Sequence, residues 1–135
     1  MIPPPRRSGR VHALAALAAT FAVAVAGCAR GENPRAALDR FFSTAQRQDY
    51  GATYDCYDKA YRAKLSREEF VRHRGEASPL QEWRVLSLEQ HGDRASAEVA
   101  LVFGPWARAG RTTPVSKTVH EELVREEGAW RVKVW

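Results

Sequence analysis

Two cysteines, Cys28 and Cys56, are all that the 135 residues carry. That excludes a disulfide framework and a zinc site built from cysteines. His73, His91 and His120 fall far apart, with no metal-ligand spacing among them or with Cys56. Neither a metal nor a cofactor is expected. The chain has no Gly-rich phosphate loop, no Gly-x-Ser-x-Gly elbow and no His-Glu-x-x-His helix. The signatures of P-loop nucleotide binding, α/β-hydrolase chemistry and zinc proteolysis are therefore missing. After residue 27 charge of one sign is nowhere concentrated; opposite charges alternate, as in Asp58-Lys59 and Arg67-Glu68-Glu69. A nucleic-acid binder needs a basic face, so no nucleic acid is expected as a partner. No internal repeat and no low-complexity segment follows residue 33.

Long apolar runs are scarce too, with one exception. Val11 to Ala26 is 16 residues of mostly Ala, Leu, Val and Phe without a charge, short of the ~20 needed to span a bilayer. Arg6, Arg7 and Arg10 precede it, and Val25-Ala26-Gly27-Cys28 ends it. This is a basic n-region, an apolar h-region and a small-residue cleavage site. The stretch resembles a bacterial lipoprotein signal, whose lipobox is an aliphatic residue, two small residues and a lipidated Cys. The resemblance implies cleavage between Gly27 and Cys28 and acyl chains such as palmitate on Cys28. It implies a signal peptide over 1–27, a lipidated Cys and short tether over 28–33, and a domain over 34–135. The membrane is then a partner through the anchor. With Ala29 after the Cys, the destination is the outer membrane facing the periplasm if the host has two membranes. Otherwise it is the outer face of the cytoplasmic membrane. Cleavage removes 27 of 135 residues and leaves 108, one domain's worth. It also removes three of the 21 basic residues, leaving 18 against 16 acidic and a net charge of +2 rather than +5. Cys56 is left without a partner for an intrachain disulfide. The tether Ala29 to Asn33 reaches at most about 18 Å, which keeps the domain close to the membrane.

Helical periodicity comes first in the domain. Asn33-Pro34 reads as a cap and first helical position. Ala37, Leu38, Phe41, Phe42 and Ala45 follow on one face, predicting a helix of about 14 residues. Tyr50, Tyr54, Tyr57, Tyr61 and Leu65 are spaced 4, 3, 4 and 4. At about 100° per residue they make one stripe of a second helix starting near Asp49. Ala52, Cys56, Ala60 and Ala63 make an adjacent small-residue strip, which places Cys56 against a neighbouring helix. Asp55, Asp58, Lys59 and Arg62 take the solvent side. Ser66-Arg67-Glu68-Glu69 is a capping-box pattern, with Leu65 and Phe70 as a hydrophobic staple. It predicts a third helix over 67–75, ended by Gly75 and Pro79.

The period then shortens to two, predicting strands near 82–91, 94–103, 115–125 and 130–135. Ala95, Ala97, Val99, Leu101 and Phe103 alternate with Arg94, Ser96 and Glu98, so one face is buried. His91-Gly92-Asp93 and Glu127-Gly128 are turns, and Gly104 to Pro114 is a loop. Helices followed by an antiparallel sheet means an α+β fold, two to three N-terminal helices packed on a curved four-stranded antiparallel sheet. Phe41, Tyr57, Trp83 and Trp130 are the expected core anchors.

Several segments together resemble the nuclear transport factor 2-like (cystatin-like α+β) superfamily, in particular its small bacterial lipoproteins. They are Ala36-Ala37-Leu38-Asp39-Arg40-Phe41-Phe42, the aromatic second helix, Ser66 to Phe70 and Gly128-Ala129-Trp130-Arg131-Val132. The resemblance implies a curved sheet wrapped around helices, often with a cavity between. The chain departs from the fuller pattern in having four strands and no hairpin between its second and third helices.

The candidate pocket set is Tyr54, Tyr57, Tyr61, Trp83, Glu121 and Trp130. A tyrosine offers an apolar ring and a polar tip, suited to a ligand cavity; the same stripe also serves as core against the sheet. Glu121 and Lys117 share a strand face with Val115, Val119 and Leu123. Facing inward, Glu121 is a buried carboxylate; otherwise it is a sheet-edge partner of Lys117, whose charge would hold its pKa low. Cys56 has no adjacent base, and no catalytic residue is assigned. The expected function is a membrane-anchored, non-catalytic module of the cell envelope that binds a small apolar ligand or an envelope protein. Some members of the resembled superfamily are isomerases or dehydratases. The second reading is therefore such an enzyme, marked by a carboxylate and a Tyr or His converging in a roomy cavity. The third is a structural envelope protein acting as a homodimer through its sheet.

Overall fold

Residues 32–134 are described by the computed structural model. The expected signal peptide over 1–27, the expected cleavage and lipidation at Gly27 and Cys28, and the expected tether as far as residue 31 lie outside the described residues. Four helices, α1 (Pro34–Gln46), α2 (Tyr50–Asp55), α3 (Lys59–Lys64) and α4 (Arg67–Gly75), precede four strands. The strands are β1 (Leu80–His91), β2 (Arg94–Phe103), β3 (Val115–Glu126) and β4 (Ala129–Lys133). They form an open antiparallel sheet in the order β1-β2-β3-β4. The fold is α+β, with the helices on one face of the sheet.

Asn33 caps α1 by accepting the Ala36 amide at 2.8 Å, and Pro34 takes the first position, where its missing N–H costs nothing. Ala37, Leu38, Phe41, Phe42 and Ala45 are the buried face. The helix ends without a glycine. Gln48 adopts φ +60°, its amide donates to the Ala45 carbonyl, and the Asp49 amide reaches the Thr44 carbonyl at 2.9 Å. That is a Schellman end, which usually uses Gly.

The stripe from Tyr50 to Leu65 is not one helix. It breaks at Cys56, Tyr57 and Asp58, where the chain pairs with the edge of β4. The Asp58 amide donates to the Val132 carbonyl at 2.8 Å, and the Val132 amide donates to the Cys56 carbonyl at 2.9 Å. An edge strand carries unpaired backbone groups, and satisfying them here outweighs continuing the helix. Asp58 is correspondingly not on the solvent side. It is 3% exposed and caps α3 by accepting the Tyr61 amide. Cys56 is buried in the cluster that holds the inner face of α1, and its carbonyl accepts the Val132 amide of β4. The Ser66–Glu69 capping box opens α4, and Leu65 packs on the cluster that contains Phe70.

β1 carries register irregularities between Leu80 and Glu82 and between Val85 and Ser87. The second leaves Leu86 between paired neighbours and 47% exposed. This extra residue is what lets Trp83, Val85 and Leu88 all pack on the core, since strict alternation would send Leu88 outward. The core lies between α1 and the inner sheet face, with Leu38, Val99, Leu123, Trp130 and Val132 the most buried side chains. A second cluster of Tyr50, Tyr54 and Phe70 joins α2 to α4.

Candidate functional site

The helices do not close fully on the sheet. A cavity of about 300 Å³ opens between them, at the lower end of the range used for small molecules. α1 contributes Phe41, Phe42 and Ala45 to its wall; Tyr57, Tyr61 and Phe70 come from the helical layer. The sheet contributes Leu80, Leu101, Phe103 and Val119. Polar groups are few: Thr53, Arg74, Lys117 and Glu121. Thr53 is already engaged, its hydroxyl donating to the Asp49 carbonyl and paired with the Thr44 hydroxyl at 2.9 Å.

The aromatic wall is fixed by its own contacts. Tyr57 stands edge-on to Phe41 with centroids 5.1 Å apart and to Phe70 at 5.4 Å, and tilts against Tyr61 at 4.4 Å. Such pairs prefer these geometries because ring edges are positive and faces negative. The turn at Cys56 to Asp58 is therefore what puts Tyr57 in the cavity wall. In a continuous helix it would have stayed on the stripe of Tyr54.

On β3 the inner face runs Val115, Lys117, Val119, Glu121, Leu123. Lys117 and Glu121 are four residues apart, about 13 Å along the strand at ~3.3 Å per residue. They form no ion pair among the described residues. Burial pushes the Glu121 carboxyl above the usual range, against the smaller opposing pull of His120 and Lys117. The expectation that Lys117 holds it low is thus overturned: desolvation outweighs a cation at that distance. Burial also pushes the Tyr57 phenol up, and the neighbouring Tyr61 and Glu121 add to the shift. The Tyr61 phenol moves the same way, again through burial, with Arg74 opposing.

Of the six candidate pocket residues, Tyr57, Tyr61 and Glu121 line this cavity. Tyr54 does not; its hydroxyl donates to the Arg62 and Leu65 carbonyls and ties α2 to the end of α3. Trp83 stacks on Phe42 at 5.6 Å and donates from its indole N–H to Gln46 at 3.3 Å, outside the cavity. Trp130 is sealed in the core. Arg74, missed from the sequence, lies at the mouth; in the last turn of α4 it reads only as a cation favouring the helix dipole. Phe70 and Phe103 also read as plain core residues. Among the described residues no group of three or more His, Cys, Asp or Glu could hold a metal ion.

No protein-family model matches the chain, and no curated protein does. Solved structures match it. A SEC-C-motif protein from Rhodopseudomonas palustris superposes with a TM-score of 0.62 and 21% identity, over 75% of each chain. A SEC-C-motif protein from Psychrobacter arcticus gives 0.62 and 10%, over 78% of this chain and 61% of that one. An NTF2-like protein from Campylobacter jejuni, described as a candidate transpeptidase, gives 0.52 and 13%, over 77% of this chain and all of that one. Identities this low speak for the fold alone, which is nuclear transport factor 2-like.

Proposed function

We propose that this chain is a lipid-anchored protein of the cell envelope whose domain binds a small molecule with an apolar body and does not transform it. The observation that carries this reading is the aromatic cavity between helices and sheet. A ligand site needs a concave, mostly apolar wall with a few polar groups to orient the guest. Phe41, Phe42, Tyr57, Phe70, Leu101 and Phe103 supply the wall, and Arg74, Lys117 and Glu121 supply the polar groups. At about 30 Å³ per water the cavity equals about ten waters, room for a guest of one or two rings. The anchor rests on the sequence: the lipobox ending at Cys28, the basic and apolar segment before it, and a tether too short to carry the domain away from the membrane.

The test is binding of naphthalene-2-carboxylate and of its neutral carboxamide to the full chain in zwitterionic nanodiscs. Calorimetry against empty nanodiscs gives the dissociation constants. Binding of either compound, lost when Val119→Phe fills the cavity without lowering the melting temperature, supports the reading. Absence of binding by both overturns it. A second reading, acid–base catalysis, has two observations in its favour: Tyr57 and Glu121 line the same cavity, and burial raises the Glu121 carboxyl above the usual range. Against it, burial moves the Tyr57 phenol away from neutrality, where an acid–base group works least well. If Glu121→Gln behaves like a gene deletion in cells while remaining folded and anchored, catalysis takes precedence.

A further inference from the structure

The polar groups of the cavity are not evenly spread. Glu121 lies toward one end of the β3 segment that floors it, and Lys117 toward the other, beside Arg74 from α4. At the Lys117 end the cavity continues into a second hollow of about 230 Å³, which shares Arg74, Phe103 and Lys117 with the first. Trp106 and Arg111 from the β2–β3 loop complete its wall. Three cations thus surround one opening: Arg74, Lys117 and Arg111.

None of the three has a carboxylate within 4.0 Å among the described residues. Each lies over an aromatic ring instead. Arg74 is 5.7 Å from the Tyr50 centroid, Lys117 5.1 Å from Phe103 and Arg111 5.6 Å from Trp106. A ring face holds a cation but leaves its N–H donors unsatisfied. Arg111 shows this directly: its Nε is buried with no hydrogen-bond partner. A buried donor without a partner costs free energy that an acceptor from outside would recover. The rings fix the cations in place beforehand, so little side-chain entropy remains to be lost when an anion arrives.

From this arrangement we infer that the cavity takes an amphipathic organic anion, its apolar body among Phe41, Tyr57, Phe70 and Leu101 and its carboxylate between Arg74, Lys117 and Arg111. The inference rests on the binding reading above and adds the chemical class of the guest. Arginine forks suit a planar carboxylate, and the lysine adds a third donor. The body is limited to one or two rings or a short chain by the cavity volume, which excludes a long acyl chain lying wholly inside.

The two naphthalene probes separate this inference from the one it rests on, because they have the same shape and differ in charge. The carboxylate is expected to bind about tenfold tighter than the carboxamide. That preference is expected to shrink as salt rises, since partly exposed charges are screened. Lys117→Gln and Arg74→Gln are each expected to weaken the carboxylate several-fold and the carboxamide less, so that the preference between the two probes shrinks; Arg111→Gln serves in place of either that fails to fold. Equal affinity for both probes overturns the anion site and leaves the cavity standing as a binding site. A carboxylate preference that survives Lys117→Gln, Arg74→Gln and Arg111→Gln also overturns it, because the anion then sits elsewhere. Binding of neither probe overturns the cavity reading and this inference together.

Discussion

Trp130 and Trp83 look alike in sequence, each alternating with charged neighbours on a strand, yet their truncation is expected to cost very different amounts. Trp130 on β4 is 2% exposed and packs in the cluster with Leu38, Phe41, Leu123 and Val132, with the Arg125 guanidinium 5.9 Å from its ring. Removing a fully buried Trp loses its transfer free energy and leaves a cavity, about 3–5 kcal/mol. Against the roughly 5–15 kcal/mol that holds a domain folded, that is about a fifth or more of the total. At about 4–8 °C per kcal/mol for a domain near 100 residues, Trp130→Ala lowers Tm by at least about 12 °C. Trp83 is half-buried, stacked on Phe42 with its indole N–H on Gln46. Fully burying an aromatic stabilises by about 1.5–3 kcal/mol, so partial burial sets the cost of Trp83→Ala near 1–2 kcal/mol. The assay is thermal unfolding by circular dichroism on the chain from residue 33 onward, which is expected to fold without the anchor. Equal losses in the two variants would refute the packing of β4 against α1. So would a Trp130→Ala protein melting within 5 °C, on the order of one kcal/mol, of wild type.

Cys28→Ala is expected to abolish incorporation of a labelled palmitate analogue and leave the signal peptide attached. A mature wild-type protein with an unmodified N-terminus would refute the anchor. Glu121 has a raised pKa when folded, so it binds a proton more tightly folded than unfolded. Its favourable contribution is complete below its unfolded pKa, near 4.5, and is lost as pH rises through the folded value. Glu121→Gln, neutral at every pH, is therefore expected to gain in Tm over wild type as pH rises from 4 toward 7; a constant difference would show that Glu121 is not desolvated. Ser66→Ala removes the acceptor for the Glu69 amide and half of the capping box. It is expected to cost about 1 kcal/mol, or ~4–8 °C in Tm, and an unchanged Tm would mean α4 does not depend on its cap.

The elements whose ends are written in local chemistry were legible. Asn33-Pro34 and Ser66–Glu69 start helices because a side-chain oxygen next to free amides is favourable whatever surrounds it. The strands were legible because burial of one face imposes a period of two. The break at Cys56 to Asp58 was not legible, because its cause is the edge of β4, some 75 residues further on. Asp58 did carry a signal, as a cap residue before Lys59-Ala60-Tyr61, but the unbroken tyrosine spacing argued for one long helix. The irregularity at Leu86 was hidden in the same way: strict alternation from Trp83 and Val85 sends Leu88 outward, and only the pairing with β2 shows the extra residue that turns it in.

The candidate site divides along the same line. Sequence alone put Tyr57, Tyr61, Lys117 and Glu121 on faces that could turn inward, and it fixed the α+β order of helices before strands. It also carried the proposed lipobox ending at Cys28, a kind of signal that is linear and needs no fold. Tertiary structure decided the rest. Bending the chain at Tyr57 and leaving α1 short of closure on the sheet made the cavity, and the loop after Gly104 brought Arg111 to face Arg74 and Lys117 across its mouth. Periodicity records which side of an element is buried. It does not record how far apart two buried sides come to rest, because that distance is set by the summed volumes of side chains from every element that meets there.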